Sequence, residues 1–202
     1  MKNRDFLVTG DGSWRVCTPA KEWDLLRTPY HLHRFLTEVE DLLNQGHDEI
    51  ETLGQLRLLV RRLITNSYWL HTQKPESAET GIPARLLYDE LGYPLTVQTA
   101  LAQPGVESPI HNHGNWGVVA ILAGEERNRF WRRFPTPEFE HRVEATGEMI
   151  LLPGDIISFT GDAIHSVKAM GEEATFSFSL YGETFHSRRF EFDPVSHTAK
   201  NF

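Results

Sequence analysis

The sequence predicts a mostly β-sheet protein in which a β-barrel follows two or so N-terminal α-helices. Apolar residues recur at helical spacing in the first part of the chain, whereas short apolar stretches separated by Gly, Pro and Asp turns begin at Arg85. Histidines placed near such turns indicate a metal site inside the barrel. We assign residues 1–81 to an N-terminal arm and helices that pack on the barrel, and residues 82–202 to the barrel, within one structural unit.

Length and composition fit a single globular domain. The 202 residues are 40% hydrophobic and 24% charged, which allows a substantial core. A net charge of −8 argues against a nucleic-acid partner, because phosphate binding relies on clustered Lys and Arg. The single cysteine, Cys17, excludes an internal disulfide and fits a reducing compartment. No stretch has the character of a signal peptide or a membrane span, so we expect a cytoplasmic protein with no membrane partner, either a monomer or a small homo-oligomer.

The N-terminal segments are assigned in chain order. Residues 1–18 show no apolar period and are expected to form a surface arm or a short strand. Residues 19–46 carry apolar side chains three and four positions apart, as an amphipathic helix requires, and Gly46 marks its end. A second helix is predicted from residue 48 to about residue 70. Residues 72–81 are polar, contain Pro and Gly, and are predicted to link the helices to the barrel.

The histidine pair His31 and His33 falls within the first predicted helix. Side chains two apart on a helix point about 200° away from each other and cannot share one ion. We therefore interpret both as solvated or capping residues.

The rest of the chain is predicted to consist of short strands. They comprise residues 95–102, 107–113, 116–122, 125–134, 139–145, 149–152, 156–159, 165–169, 175–181 and 188–192. Within 125–134, Arg127, Arg129, Trp131 and Arg133 share one face, opposite Asn128, Phe130 and Arg132. A solvated arginine face is the simpler interpretation. An arginine face inside the barrel would instead select an acidic or phosphorylated ligand.

Three histidines form the candidate metal site. His111 and His113 are two apart in an apolar strand, where side chains at i and i+2 lie on the same face and can reach one ion. Downstream, a Pro-Gly-Asp turn, an apolar strand and a Gly-Asp turn precede His165, which offers a third imidazole. The alternative interpretation is three strand histidines satisfied by backbone hydrogen bonds.

These two stretches together resemble the metal-binding motifs of the cupin superfamily, whose fold is a double-stranded β-helix, or jelly-roll barrel. The usual cupin pattern adds a glutamate three or four residues after the second histidine, where this chain has Trp116 and Gly117. A neutral site of three histidines is therefore expected. This organisation is similar to that of the thiol dioxygenases, such as cysteine dioxygenase and mercaptopropionate dioxygenase, which place a three-histidine iron site in a barrel that follows N-terminal helices.

The resemblance implies an Fe(II) cofactor, for which Zn, Ni or Mn can substitute in a purified sample. It implies a small thiol carboxylate and O2 as partners, with a sulfinic acid as product. Family members have a Ser-x-His-x-Tyr strand, and this chain has Ser177, Ser179 and Tyr181 at the matching positions, so the central histidine is replaced by Ser179. By resemblance, Tyr181 hydrogen-bonds the bound oxygen or the substrate.

Two further residues are assigned to substrate binding. Arg85 lies 26 residues before His111, the spacing at which cysteine dioxygenase has the arginine that holds the substrate carboxylate. Its simpler interpretation is a surface ion pair with Asp89 or Glu90. Trp116 is expected to be either a packing residue near the mouth of the barrel or an aromatic wall beside the thiol.

Two other function classes stay open. One is a metal-dependent cupin of different chemistry, an isomerase or a carbon dioxygenase with Zn, Mn or Ni, which the serine at position 179 favours. The other is a non-catalytic cupin that binds a small ligand.

Overall fold

The computed structural model of this protein describes residues 3–21, 28–78, 81–90, 92–93 and 95–202. The N-terminal elements are strands β1 (Asp5–Val8) and β2 (Trp14–Cys17), helices α1 (Leu32–Leu43) and α2 (Glu49–Asn66), and a 3-10 helix over Tyr68–Thr72. The sheet strands that follow are β3 (Ala84–Asp89), β4 (Leu95–Ala102), β5 (Ile110–Asn112), β6 (Gly117–Ala123), β7 (Glu125–Arg133), β8 (Val143–Leu151), β9 (Ile156–Phe159), β10 (Ile164–Met170) and β11 (Thr175–Gly182). A 3-10 helix (His186–Arg188), β12 (Phe190–Asp193) and β13 (Thr198–Asn201) complete the chain.

Strands β4 to β11 form two four-stranded antiparallel sheets with the strand order of a jelly roll. One sheet runs β4-β11-β6-β9 and the other β5-β10-β7-β8. The first sheet is extended by β1 and β2 at one edge and by β3 at the other, and the second is extended by β12 and β13. The predicted fold class, a mostly β jelly-roll barrel after two helices, is confirmed.

The first strand is part of the barrel sheet, so the prediction of a surface arm over residues 1–18 is wrong and the prediction of a short strand is correct. β1 pairs in parallel with β9 and in antiparallel fashion with β2, and all four of its residues are buried. Successive strand side chains point to opposite faces, so Phe6 and Val8 enter the barrel core while Leu7 packs in the core beneath the helices. Because the strand has only four residues, its apolar pattern is too short to predict from the sequence that both of its faces are buried.

Helix α1 begins at Leu32, later than predicted from residue 19. Residues 22–27, including Trp23, Leu25 and Leu26, lie outside the described residues. His31 occupies the N-cap position, and both His31 and His33 are exposed, which confirms that they are solvated. Pro29 disfavours helical backbone at the residue before it, which is consistent with a start after this point.

Helix α2 begins after Asp48, whose side chain accepts a hydrogen bond of 2.8 Å from the backbone N–H of Glu51. It ends at Asn66 and the chain tightens into the 3-10 helix, so the predicted end near residue 70 includes that turn. No helix among the described residues combines the length and apolar composition of a membrane span.

The helices cover the outer face of the β4-β11-β6-β9 sheet. Phe35 and Val39 of α1 and Leu56 of α2 join one core cluster with outward-facing strand residues such as Phe178 and Leu180. The opposite side chains of the same strands line the inside of the barrel. Burial of the outer face by the helices leaves the inner face free to build a cavity.

Two strand predictions are corrected at the other sheet. Residues 139–145 and 149–152 were separate strands in the prediction, whereas β8 is continuous through Gly147 and has a bulge opposite Phe130 and Trp131. The predicted strand 188–192 begins at Phe190, because residues 186–188 form a 3-10 turn.

A buried ion pair fastens α2 to the N-terminal strand. Arg61 and Asp5 are each 2% exposed, and the Arg61 guanidinium donates to the Asp5 carboxylate and to the carbonyl of Gly154. Nearby, Arg57 donates a 2.6 Å hydrogen bond to Ser158 on β9. Burial raises the pKa of Asp5 in spite of the opposing attraction of Arg61. Desolvation therefore offsets much of the attraction, and the pair matters most through the cost of leaving one partner alone.

We expect Asp5→Ala to lower the free energy of unfolding by about 3–5 kcal/mol, because it leaves the Arg61 charge buried without its partner. The double variant Asp5→Leu/Arg61→Met removes both charges and should recover most of that loss. Denaturant unfolding followed by circular dichroism measures both. A double variant as unstable as the single one would contradict this account.

Candidate metal centre

The pairing of β5 with β10 brings the predicted histidines together. His111 lies directly opposite His165 in the antiparallel register, and His113 follows two residues later on the same side. One ligand nitrogen from each of the three residues lies within 4.8 Å of the other two, and the Nε2 atoms of His113 and His165 are 3.1 Å apart. The structure thus assembles the three-imidazole set that the sequence predicts.

Two of the rings are oriented by partners behind them. Nδ1 of His111 is 2.9 Å from the carbonyl oxygen of Pro109, and Nδ1 of His165 is 3.2 Å from Oδ1 of Asn128. An oxygen acceptor requires the ring proton at Nδ1, which leaves the Nε2 lone pair directed into the barrel. Metal-bound imidazoles commonly have such an acceptor behind the ring.

The imidazoles are held neutral by their surroundings. Burial lowers the pKa of His111, and together with the neighbouring histidines it lowers the pKa values of His113 and His165 well below the ordinary value. Arg189 acts in the same direction on His111 and His113. Neutral imidazole is the form that binds a metal, so the donor set fits a divalent transition ion such as Fe(II), Zn, Ni or Mn.

No acidic ligand enters at the position of the usual cupin glutamate. A Cβ on Gly117 would lie 2.8 Å from the ring of Tyr181, its cross-strand neighbour. Trp116 lines an external groove instead of the histidine cavity. The aromatic ring of Tyr181 thus takes the space beside the metal site that a side chain at position 117 would need.

The histidines open on a cavity of about 280 Å³ inside the barrel. Its apolar wall includes Val119, Ile157 and Phe159, and its polar wall includes Gln98, Glu126, Asn128 and the three predicted residues of β11, Ser177, Ser179 and Tyr181. The alternation of β11 places these three residues inside, while Phe178 and Leu180 face the helices.

Tyr181 is held against the metal site. Its ring stacks on His113 with centroids 4.5 Å apart and planes 29° apart, and Ser179 lines the cavity beside it on the same strand face. Burial raises the pKa of Tyr181, so the phenol keeps its proton at neutral pH. A protonated phenol at this position is a hydrogen-bond donor into the cavity.

The structure does not bring Arg85 to the site. Arg85 pairs with Thr99, whereas the cavity is lined by the alternate positions Ala84 on β3 and Gln98 on β4. Strand alternation therefore directs the exposed Arg85 side chain to the other face of the sheet.

Trp116 is also absent from the histidine cavity. The groove that it lines is larger, about 560 Å³, and contains none of the three histidines, and its ring packs at the edge of the core beneath the helices. Of its two interpretations, the packing residue agrees with this position.

An arginine that the sequence analysis did not select lies beside the histidines. Arg189 lines a cleft of about 320 Å³ that shares His113, Tyr181 and Gln98 with the histidine cavity. It is half-buried, its guanidinium lies 4.2 Å from the ring of Phe202, and among the described residues its buried Nε has no hydrogen-bond partner.

The ligand motif itself positions Arg189. Asn112, between the two ligand histidines, donates to the carbonyl of Arg188 at 3.0 Å and accepts from the N–H of Phe190 at 2.8 Å. Gly114, at φ +68°, permits this approach, because a Cβ there would lie 2.8 Å from the backbone of Arg188. Arg189 follows a 3-10 turn and has no periodic signal in the sequence.

Glu126 and Asn128 are two further cavity residues without an assigned role. They lie on the inner face of β7, whereas Arg127 and Arg129 lie on the opposite face, with Arg127 3.9 Å from Glu107. The solvated arginine face is therefore correct. Extending the same alternation back from Asn128 by two residues identifies Glu126 as an inward-facing carboxyl.

Comparison with known proteins gives weak likenesses only. No protein-family model matches the sequence. A cupin superfamily protein from Desulfitobacterium hafniense is 14% identical over 54% of this chain and 84% of its own, with a TM-score of 0.42. The DMSP lyase DddQ from Ruegeria pomeroyi is 18% identical over 54% of this chain and 50% of its own, with a TM-score of 0.41. An oxalate oxidase bound to the substrate analogue glycolate is 13% identical over 55% of this chain and 56% of its own, with a TM-score of 0.42. Similarity this low assigns neither ligand nor reaction to this chain.

We expect the metal-free protein to bind one equivalent of Co(II), and His113→Ala to weaken that binding on the order of 100-fold or more, because three ligands become two. Isothermal titration and the visible absorption of bound Co(II) measure this. His33→Ala, at an exposed position on α1, is the matched control and should bind as the unmodified protein does. Equal affinity of all three proteins would exclude the histidine site.

Proposed function

We propose that this chain is a cupin-type, iron-dependent thiol dioxygenase-like enzyme that oxidises a small thiol carboxylate, of the cysteine or mercaptopropionate type, to a sulfinic acid. The observation that carries this proposal is the convergence of three neutral imidazoles, with no carboxylate in the ligand cluster among the described residues, on a cavity that contains Tyr181 and adjoins the cleft of Arg189. In the overall reaction both atoms of O2 are transferred to sulfur. Sulfur loses the four electrons that O2 gains, so no external reductant is needed.

A neutral ligand set suits an anionic substrate. Three uncharged imidazoles would leave the full charge of a divalent ion available to a thiolate. Fe(II), when bound, would supply open coordination positions for the thiolate and O2 and the redox chemistry between them. The chain's own residues then have to orient the rest of the substrate and supply protons.

Arg189 is the residue that we propose for the carboxylate, in place of Arg85. Arg189 lines the cleft that also contains His113 and Tyr181, and its buried Nε has no hydrogen-bond partner among the described residues. A guanidinium forms paired hydrogen bonds with a carboxylate and keeps its charge at all physiological pH values. Arg85, exposed on the opposite face, is left with a surface role.

Tyr181 and the two serines complete the proposed site. The protonated phenol of Tyr181 would donate a hydrogen bond to the bound oxygen or to the substrate, and Ser179 orients that phenol from the same strand face. Ser177 is the next inward residue and adds a hydroxyl to the polar wall. A serine at position 179 is shorter than the histidine of family members and leaves more room beside the tyrosine.

The size of the cavity supports a small substrate. Its volume of about 280 Å³ is close to the lower end of the range for ligand pockets and accommodates a small substrate beside a metal ion. Apolar Val119, Ile157 and Phe159 face the polar wall and suit a short methylene stem. The partners we propose are therefore a short thiol acid and O2.

A second candidate is an isomerase-type cupin that uses Zn, Mn or Ni. It is favoured by Glu126, a buried carboxyl that lines the cavity and whose pKa burial raises to about 7, the range of a general base at neutral pH. Such an enzyme would move a proton on a carbon acid and consume no O2.

We expect the Fe(II)-loaded protein to consume O2 in the presence of cysteine or 3-mercaptopropionate and to form the corresponding sulfinic acid. An oxygen electrode and mass spectrometry measure the two events. His113→Ala should abolish both, because the metal is lost. Full iron occupancy without thiol-dependent O2 uptake would exclude the dioxygenase and favour the second candidate.

We expect Arg189→Gln to raise the KM for carboxylate-bearing thiols about 10-fold to 100-fold. This factor corresponds to the binding free energy of one hydrogen bond between charged groups. Cysteamine, which has no carboxylate, should react equally well with both proteins. Arg85→Gln is the matched control and should leave all kinetic constants unchanged. A larger effect of Arg85→Gln than of Arg189→Gln would reverse the assignment of the clamp.

A further inference from the structure

A buried chain of hydrogen bonds leads from the metal site to a carboxyl group. Nδ1 of His165 lies 3.2 Å from Oδ1 of Asn128, and Nδ2 of Asn128 donates to Oε1 of Glu126 at 2.8 Å. Glu126 is 7% exposed, Asn128 is fully buried, and His165 is 4% exposed. Asn128 and Glu126 are successive inward positions of β7, the strand that pairs with the β10 strand of His165.

We propose that Glu126 is a positioning residue that acts through Asn128 to fix the tautomer of His165, so that the Nε2 lone pair faces the metal. This inference rests on the metal site of the proposed function and adds a residue to it. Glu126 neither binds the ion nor touches the substrate in this role. It decides which end of the Asn128 amide faces the histidine.

The argument follows from the donors and acceptors. The amide nitrogen of Asn128 faces Glu126, where a carboxylate oxygen accepts its hydrogen bond, and the carbonyl oxygen of Asn128 therefore faces His165. A carbonyl oxygen only accepts, so His165 must carry its proton at Nδ1. The Nε2 atom of His165, 3.1 Å from Nε2 of His113, is then left with a lone pair.

Without the carboxylate, Asn128 has no fixed orientation. Its amide has nearly the same shape after a half-turn, which would direct the NH2 group at Nδ1 of His165 and move the ring proton to Nε2. A ring protonated at Nε2 has no lone pair for a metal. Because Asn128 is fully buried, bulk water does not compete for either end of the amide.

His111 shows why the carboxylate is needed only on one side. Its Nδ1 faces the backbone carbonyl of Pro109 at 2.9 Å, and a backbone carbonyl cannot exchange a donor for an acceptor. The tautomer of His111 is therefore independent of Glu126. The hydrogen bond from Asn128 also favours the ionised form of Glu126 against the burial that raises its pKa to about 7.

Nitrogen-15 NMR of the histidine rings in the metal-free protein tests this inference without metal or substrate. We expect His165 of the unmodified protein to be protonated at Nδ1. In Glu126→Gln, which can donate or accept at position 126, the Nε2-protonated form of His165 should appear while His111 is unchanged. A His165 ring protonated at Nε2 in the unmodified protein would overturn the proposal, whether or not any variant folds.

A double variant separates orientation from mere packing. Glu126→Gln/Asn128→Asp exchanges donor and acceptor, because the carboxylate introduced at position 128 accepts from His165 and the amide introduced at position 126 donates to that carboxylate. We expect Glu126→Gln to weaken Co(II) binding about 10-fold to 100-fold and the double variant to restore both the affinity and the Nδ1 proton. A folded single variant with unchanged tautomer, or a folded double variant without recovery, would overturn the role of Glu126. Absence of thiol-dependent O2 uptake alongside the expected tautomers would overturn only the proposed reaction.

Discussion

The site depends on the register of β10 between its two neighbours. Pairing with β5 sets His165 opposite His111, and pairing with β7 sets His165 opposite Phe130, with Asn128 at the next inward position. A shift of one residue would direct every β10 side chain to the other face of the sheet and separate the ligands. One strand register therefore controls both the ligands and the hydrogen bonds behind them, and the burial of His165 on the cavity face and of Ile164 on the opposite face makes slippage costly.

One face of the helix-covered sheet stabilises the fold, and the other face lines the candidate site. Helices α1 and α2 bury one face in an apolar core, and the Arg61–Asp5 ion pair joins α2 to β1 at the edge of that sheet. The other face carries Ser177, Ser179 and Tyr181 into the cavity. Tyr181 takes its place beside His113 only because Gly117 has no side chain. The missing acidic ligand and the tyrosine are thus two consequences of the same packing.

Period-two alternation predicted that His111 and His113 share a strand face, and the turn and strand pattern downstream added His165. The jelly-roll fold class and the three β11 residues followed from the resemblance to known families. The resemblance failed for Arg85, since the face of β3 that meets the cavity is set by pairing with β4, and the spacing to His111 carries no information on that register. The role of Arg189 could not be predicted from the sequence, because its position is set by a residue distant in sequence, Asn112, which hydrogen-bonds the backbone of the two residues that flank Arg189. The burial of β1 was missed for the related reason that its parallel partner, β9, lies at the other end of the chain.

The charged groups near the site lie away from the metal-binding nitrogens. The imidazoles are neutral, the Glu126 carboxyl is linked to His165 through Asn128, Glu191 is paired with Lys200, and the Arg189 guanidinium lies in the adjoining cleft that also contains His113 and Tyr181. A substrate that carries negative charge at both ends would be attracted by the metal at one end and by Arg189 at the other, and repelled by Glu126. For the substrate that we propose, a short thiol acid, that arrangement favours one orientation, with sulfur at the histidines and the carboxylate in the cleft. A ligand set that included a glutamate would cancel part of the metal charge and weaken this preference. The neutrality of the three histidines and the position of Arg189 therefore both favour a substrate with an anionic group at each end.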